Sequence, residues 1–191
     1  YGETQTGIIA VIEQLFAPAL IGLTLLEREV VNGRLARTVG NPAAKSAVDM
    51  AIWDALGRTL QLPVTSMLGG FTDRMRVSHM LGFSDPAAMI AEAEKVRDQH
   101  GINVFKVKVG RRPVTLDTAV VRALRDRFGD SVELYVDANR GWTAPESLRA
   151  MREMADLDLL FAEELCRADD VLGRRWLVGR TDVPIIADES V

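Results

Sequence analysis

From about residue 76 onward, short apolar runs alternate with amphipathic stretches, and this rhythm limits the fold more than any other feature of the chain. Strand-like runs fall at 76–80, 104–109, 134–137, 159–163 and 184–187. Helical patterning falls at 86–99, 115–127, 145–154 and 170–178. The strands recur roughly every 25 to 30 residues, which leaves room for a crossover helix and so for parallel pairing. Five strands and four helices in strict alternation predict the α/β class, as a doubly wound sheet or a (β/α) barrel.

The first part of the chain has a different character. Ile8, Ile9, Val11, Ile12, Leu15 and Phe16 recur at helical spacing up to Pro18. Asn41-Pro42 reads as an N-cap followed by proline at the first helical position. The helix it opens runs through Trp53 and Leu56, and Leu68-Gly69-Gly70 breaks the chain. Nothing here alternates with a period of two. The expected division is a helical region over 1–72 and the repeating βα region over 73–191.

Three of the five expected strands end in an acid: Asp137, Glu163 and Asp188. In βα folds the C-terminal ends of parallel strands form the rim of the active site. Separations of 26 and 25 residues are one βα repeat each, which sets the three carboxylates side by side. Crowded acids repel and raise one another's pKa unless a cation joins them. All-oxygen ligation suits Mg²⁺ or Mn²⁺ better than Zn²⁺. The competing expectation is that each acid caps the helix that follows it.

One unit earlier, Lys106 and Lys108 alternate with Phe105, Val107 and Val109, so both lysines face one side of a strand. Lysine is scarce here. Of 23 basic residues only four are Lys, at 45, 95, 106 and 108. Arginine does not give up a proton near neutral pH, whereas lysine can. Two adjacent ammonium groups are expected to depress each other's pKa from about 10.4 toward neutrality and to act as general base or acid. The alternative is an edge strand whose lysines face water.

Composition narrows the function classes. A net charge of −4 and a pI near 5.3 give no basic footprint for nucleic acid. No apolar run reaches the roughly 18 residues of a membrane span. A single cysteine, Cys166, rules out a disulfide within the chain, fits a reducing cytoplasm and reads as structural. The chain opens at Tyr1 without an initiator Met and stops at Val191 just after an apolar run, which is expected of a segment of something longer.

Other polar residues carry less weight. Asn139 stands two residues past Asp137, and Glu164 and Glu189 follow the other two acids, where they can support a metal or substrate. His79 is expected to pack on its strand and His100 to meet a helix C-terminus. The acidic and arginine pairs at 169–175 read as a solvated helix face.

Lys106-Val107-Lys108, Asp137-Ala138-Asn139, Phe161-Ala162-Glu163-Glu164 and Asp188-Glu189-Ser190, with a spacing of 29 from Lys108 to Asp137, resemble the muconate-lactonizing subgroup of the enolase superfamily. Residues 41–70, with Ala47, Asp49, Asp54 and Leu68-Gly69-Gly70, resemble the helical part of that family's α+β capping domain. The resemblance implies about five βα units of a (β/α) barrel preceded by that cap. It implies Mg²⁺ or Mn²⁺ on Asp137, Glu163 and Asp188, Lys108 as acid/base and Lys106 tuning it. Tyr1 falls where the family carries a loop over its substrate. A small carboxylate substrate is implied, cis,cis-muconate going to muconolactone, in a homo-oligomer that is often an octamer. Two departures stand out: Leu165 replaces a common proline, and the family's opposing lysine would lie beyond Val191. A segment lacking that lysine is expected to be inactive alone.

The subgroup also holds o-succinylbenzoate synthases, N-acylamino acid racemases and dipeptide epimerases with the same motifs. The wording around residues 1–7 and 106–113 is most similar to muconate cycloisomerases. A Mg²⁺-binding phosphoacceptor domain would place its acids early and its lysine late, the reverse of this order. A non-catalytic relative used for assembly has no need of the lysine and the acids together.

Overall fold

The computed structural model describes residues 2–191 and contains two compact units, divided between Met75 and Arg76. No helix among the described residues is long and apolar enough to cross a membrane.

The first unit is helical. Helix α1 (Gln5–Val11) passes through a π-helical turn at Ile12–Phe16 into α2 (Ala17–Leu20). The first helix therefore continues past Pro18 instead of stopping there. Pro18 offers no N–H and its ring crowds the carbonyl four residues back. The wider turn, with the Ala17 N–H bonded to the Ile12 carbonyl, accommodates it. Next come α3 (Arg28–Ala36), α4 (Pro42–Leu60) and α5 (Val64–Met67). Helix α3 is not evident from the sequence. Its apolar stripe is thin, with only Val31 and Leu35 buried. The N-cap expected of Asn41 forms differently. Asn41 is left-handed and its side chain makes no capping bond, while the Ala43 N–H donates to Glu3 Oε1 at 3.1 Å. Phe16, Val31, Leu35 and Ala44 form this unit's buried core.

The second unit alternates as the spacing predicts: β1 (His79–Leu81), α6 (Pro86–His100), β2 (Val104–Lys108), α7 (Thr115–Phe128), β3 (Glu133–Asp137), α8 (Ala144–Glu153), β4 (Leu159–Glu163), α9 (Val171–Leu177) and β5 (Ile185–Ile186). All four strand pairs are parallel, and the order is β1-β2-β3-β4-β5. A doubly wound sheet reverses its order at a switch point. Continuous winding in one direction is the barrel pattern.

Strand alternation sorts the residues. Phe105, Val107, Leu134, Val136 and Ala162 are fully buried and pack with Val121, Leu124 and Met151 of the helices. The opposite face carries Lys106, Lys108, Tyr135, Asp137, Phe161 and Glu163. There the Tyr135 and Phe161 rings meet tilted at 40°, with centroids 4.4 Å apart. One face is thus core and the other is free for chemistry.

Three helices of the second unit, α6, α8 and α9, start on side-chain capping bonds. The Asp85 side chain accepts from the Ala88 N–H, and α8 opens on a full capping box between Thr143 and Glu146. Arg112 donates two bonds to Glu146, at 2.8 and 2.9 Å. These donors hold the Glu146 carboxyl down from 4.5 to about 2. A depressed folded-state pKa adds stability above the unfolded value and loses it as pH falls. The stability gap between wild type and Glu146→Gln should therefore be full near neutral pH and shrink between 4.5 and about 2 in chemical denaturation. Thr143→Ala should cost about 1 kcal/mol; no change in midpoint would show that the box contributes nothing.

Candidate functional site

The ends of β2, β3 and β4 sit in register. Lys108 pairs with Asp137, and Asp137 pairs with Glu163. Both lysines reach the acids. Lys106 Nζ lies 2.8 Å from Asp137 Oδ2 and 2.6 Å from Glu163 Oε1, bridging two strands. Lys108 Nζ lies 2.6 Å from the same Asp137 Oδ2 and also donates to Asn139 Oδ1. The Asn139 N–H returns to Asp137 Oδ1 at 2.8 Å.

The plainer explanations of these residues fail on position. Helix α8 is capped by Thr143 and α9 by Asp170, so neither Asp137 nor Glu163 caps the helix after its strand. Strand β2 lies between β1 and β3, so its lysines are not on a sheet edge. Asp137 is completely buried and Glu163 is 9% exposed, although carboxylates are rarely buried without a partner.

The expected mutual depression of the two lysines is not what the geometry produces for Lys106. Burial works to lower its pKa, but hydrogen bonds and attraction to Asp137 and Glu163 outweigh it and hold the ammonium well above its usual value. Opposite charges about 4 Å apart attract by about 4 kcal/mol at an effective dielectric near 20, and these pairs are closer. Asp137 stands between the ammonium groups and replaces repulsion by pairing. Burial likewise works to raise the Asp137 pKa, and the two lysines and the Asn139 amide override it and lower it.

Asp188 lies two residues past β5 and is exposed. Its turn is held by Glu164, which is 2% exposed. Glu164 Oε2 accepts from the Asp188 N–H at 2.7 Å, from the Ser190 N–H at 3.1 Å and from the Ser190 hydroxyl at 2.7 Å. Arg174 Nη1 approaches Glu164 Oε1 at 3.6 Å, so the 169–175 segment is not only a solvated face. Glu189 Oε1 accepts from Asn139 Nδ2 at 3.1 Å and faces Arg140 Nε at 3.5 Å.

The donor chemistry fits a hard divalent cation. An ammonium already bridges Asp137 and Glu163, and every side-chain donor at the three strand ends is oxygen. Among the described residues no three His, Cys, Asp or Glu side chains stand close enough together to hold an ion as placed. Asp137 and Glu163 are brought together; the Asp188 carboxylate is not.

The remaining sequence candidates have other places. Tyr1 lies outside the described residues. His79 bonds Glu92 of α6 at 2.7 Å, and His100 ends that helix. Cys166 is a buried free thiol. Sequence reading passed over Arg111, Asp117 and Trp142, which tie the turns after β1, β2 and β3 together. Asp117 reads as an ordinary acid in the first turn of a helix, so only its burial reveals it.

Two family models match the chain: "Mandelate racemase / muconate lactonizing enzyme, N-terminal domain" over residues 1–69 and "Enolase C-terminal domain-like" over residues 88–191. The chain belongs to the enolase superfamily. Within it, the chain falls in the muconate-lactonizing-enzyme-like subgroup. The crystal structure of the muconate lactonizing enzyme from Mycobacterium smegmatis is 78% identical with a TM-score of 0.98, covering 100% of this chain and 54% of that one. The L-Ala-D/L-Glu epimerase of Bacillus subtilis is 35% identical over 100% of this chain and 52% of its own length. The dipeptide epimerase from Enterococcus faecalis V583, crystallised with Mg and the dipeptide L-Leu-L-Tyr, is 32% identical with a TM-score of 0.92, covering 100% of this chain and 53% of that one. The chain thus spans about half the length of these superfamily relatives.

Proposed function

We propose that the whole protein is a divalent-metal-dependent enzyme that transfers a proton at the carbon beside a substrate carboxylate, and that it is a muconate cycloisomerase. The observation that carries this is the Lys106 ammonium bridging Asp137 and Glu163 beside Lys108, at the ends of adjacent parallel strands. The narrower choice of cis,cis-muconate rests on the 78% identity to the M. smegmatis muconate lactonizing enzyme. Residues 1–72 would be the helical part of the capping domain and 73–191 the first five strands of the barrel.

In this reading Asp137, Glu163 and Asp188 hold Mg²⁺ or Mn²⁺. The bound ion would supply positive charge against the substrate carboxylate on which enolate charge gathers. Lys106 would turn away from the acids and set the field at Lys108. In the cycloisomerisation, an oxygen of the far carboxylate forms a C–O bond to an alkene carbon. The π electron pair moves to the carbon beside the other carboxylate. The Lys108 ammonium gives that carbon a proton, and water later restores it. Asn139 orients Lys108, Glu164 braces the Asp188 turn, Glu189 supports Asn139, and Tyr1 contacts substrate. A homo-oligomer working in the cytoplasm completes the proposal.

The test gives full-length protein cis,cis-muconate and Mn²⁺ while ultraviolet absorbance is followed. Loss of the diene signal with formation of muconolactone is the expected result. An unchanged signal, with epimerisation of L-Ala-L-Glu in a parallel assay, would reject the cycloisomerase and retain the proton-transfer chemistry.

A further inference from the structure

We propose that Asp117, acting through Arg111, is a positioning residue that sets the distance between Lys108 and Asp137. Asp117 lies on α7, outside the strand-end acids, and is 0% exposed. Its Oδ2 accepts from the Gly110 and Arg111 N–H groups, both at 2.7 Å. Its Oδ1 accepts from Arg111 Nε at 2.6 Å. All three donors belong to the turn that begins directly after Lys108 and Val109.

Arg111 carries the connection outward. Its Nη1 reaches the Ser84 carbonyl after β1 at 3.4 Å, and its own carbonyl accepts from Trp142 Nε1 after β3 at 2.9 Å. The turns after β2 and β3 also meet backbone to backbone. Gly110 has φ +116°, and a Cβ there would sit 2.6 Å from the Ala138 carbonyl oxygen. A Cβ on Gly141 would lie 2.7 Å from Gly110 Cα. The Val109 N–H donates to the Asp137 carbonyl at 2.9 Å.

The consequence concerns Lys108. Its backbone is fixed by the turn that Asp117 gathers, while its ammonium is fixed by Asp137 and Asn139 on the neighbouring turn. Whatever locks these two turns also locks the lysine. A buried carboxylate is a costly way to fill space, since desolvation opposes it. Three donors in fixed directions are what a carboxylate provides and an apolar residue does not.

This inference rests on Lys108 being the acid/base of the proposed reaction, and the test separates the two. Asp117→Asn in the full-length protein keeps an oxygen for the two turn amides but sets an NH₂ group against Arg111 Nε. Limiting acetic anhydride, with acetylation of each lysine read by peptide mass spectrometry, reports position without catalysis. Lys108 should acetylate severalfold faster, with Lys45 and Lys95 unchanged. In parallel, kcat on muconate should fall about a hundredfold, as misplacement by about an ångström can cost. KM and Mn²⁺ affinity should hold within about twofold. Arg111→Lys, a milder change, should give the same pattern to a smaller degree. Unchanged Lys108 acetylation with unchanged kcat would overturn the proposal. So would equal acceleration at every lysine together with a lowered Tm, which marks general loosening. A wild type inactive on muconate and on dipeptides would reject the functional reading, while the acetylation pattern would still decide the positioning role.

Discussion

Lys108→Ala in the full-length protein is expected to abolish turnover while leaving metal binding intact. General acid–base groups contribute about 10²- to 10⁴-fold, and in the proposed role of Lys108 its loss should fall near the upper end. A thousandfold loss corresponds to about 4 kcal/mol of barrier. The rest of the site should survive the change. Asp137 keeps Lys106 at 2.8 Å and the Asn139 N–H at 2.8 Å, so its charge stays compensated. Mn²⁺ affinity should therefore stay within a few-fold. The discriminating measurement pairs kcat with Mn²⁺ binding on one preparation. A variant that turns over normally would remove Lys108 from the chemistry. One that loses metal and activity together would make it a structural residue.

The second large effect concerns Glu163→Gln, which changes one atom and removes one charge. Glu163 is 9% exposed and its charge is shared with Lys106 at 2.6 Å. Removing one partner of a buried pair is usually costly because a charge is left alone. Here Lys106 keeps Asp137, so the fold should tolerate the change and the loss should fall on the cation. Replacing an anionic ligand by a neutral one at a divalent ion should weaken Mn²⁺ binding about a hundredfold, or about 2.7 kcal/mol. Electron paramagnetic resonance of free Mn²⁺ during titration measures it. Equal affinity in the two proteins would mean that Glu163 is not a ligand.

Most of the barrel region was legible because each of its signals was local. Parallel strands buried on the helical side show as apolar positions such as Phe105, Val107, Leu134 and Val136, with polar residues between them. Strand-end acids at one-repeat spacing also needed no tertiary information. Proline at the start of α6 and α8 helped to place those helices. Helix α3 was missed because its packing relies on two residues, too few for a periodic pattern. The pKa of Lys106 was misjudged because pairing depends on which carboxylate falls opposite, and sequence spacing does not reveal the register of Lys108 on Asp137. Asp117 was overlooked for the same reason. Its partners Gly110 and Arg111 are near in sequence, but its complete burial is a property of the folded rim.

The proposed substrate and the proposed proton transfer stand on different supports. Identity of 78% to the M. smegmatis enzyme bears on the substrate. The paired lysines and acids bear on the proposed proton transfer and do not by themselves choose between a cycloisomerase and an epimerase.

In the proposed function the Lys106 ammonium occupies the place of a divalent cation. Crystals of the full-length protein grown with Mn²⁺ test it through the metal's anomalous scattering. The expected result is one strong peak joined to Asp137, Glu163 and an inward-turned Asp188, with Lys106 withdrawn from Glu163. A Lys106 ammonium still bridging Asp137 and Glu163, with Mn²⁺ bound elsewhere or not at all, would contradict it.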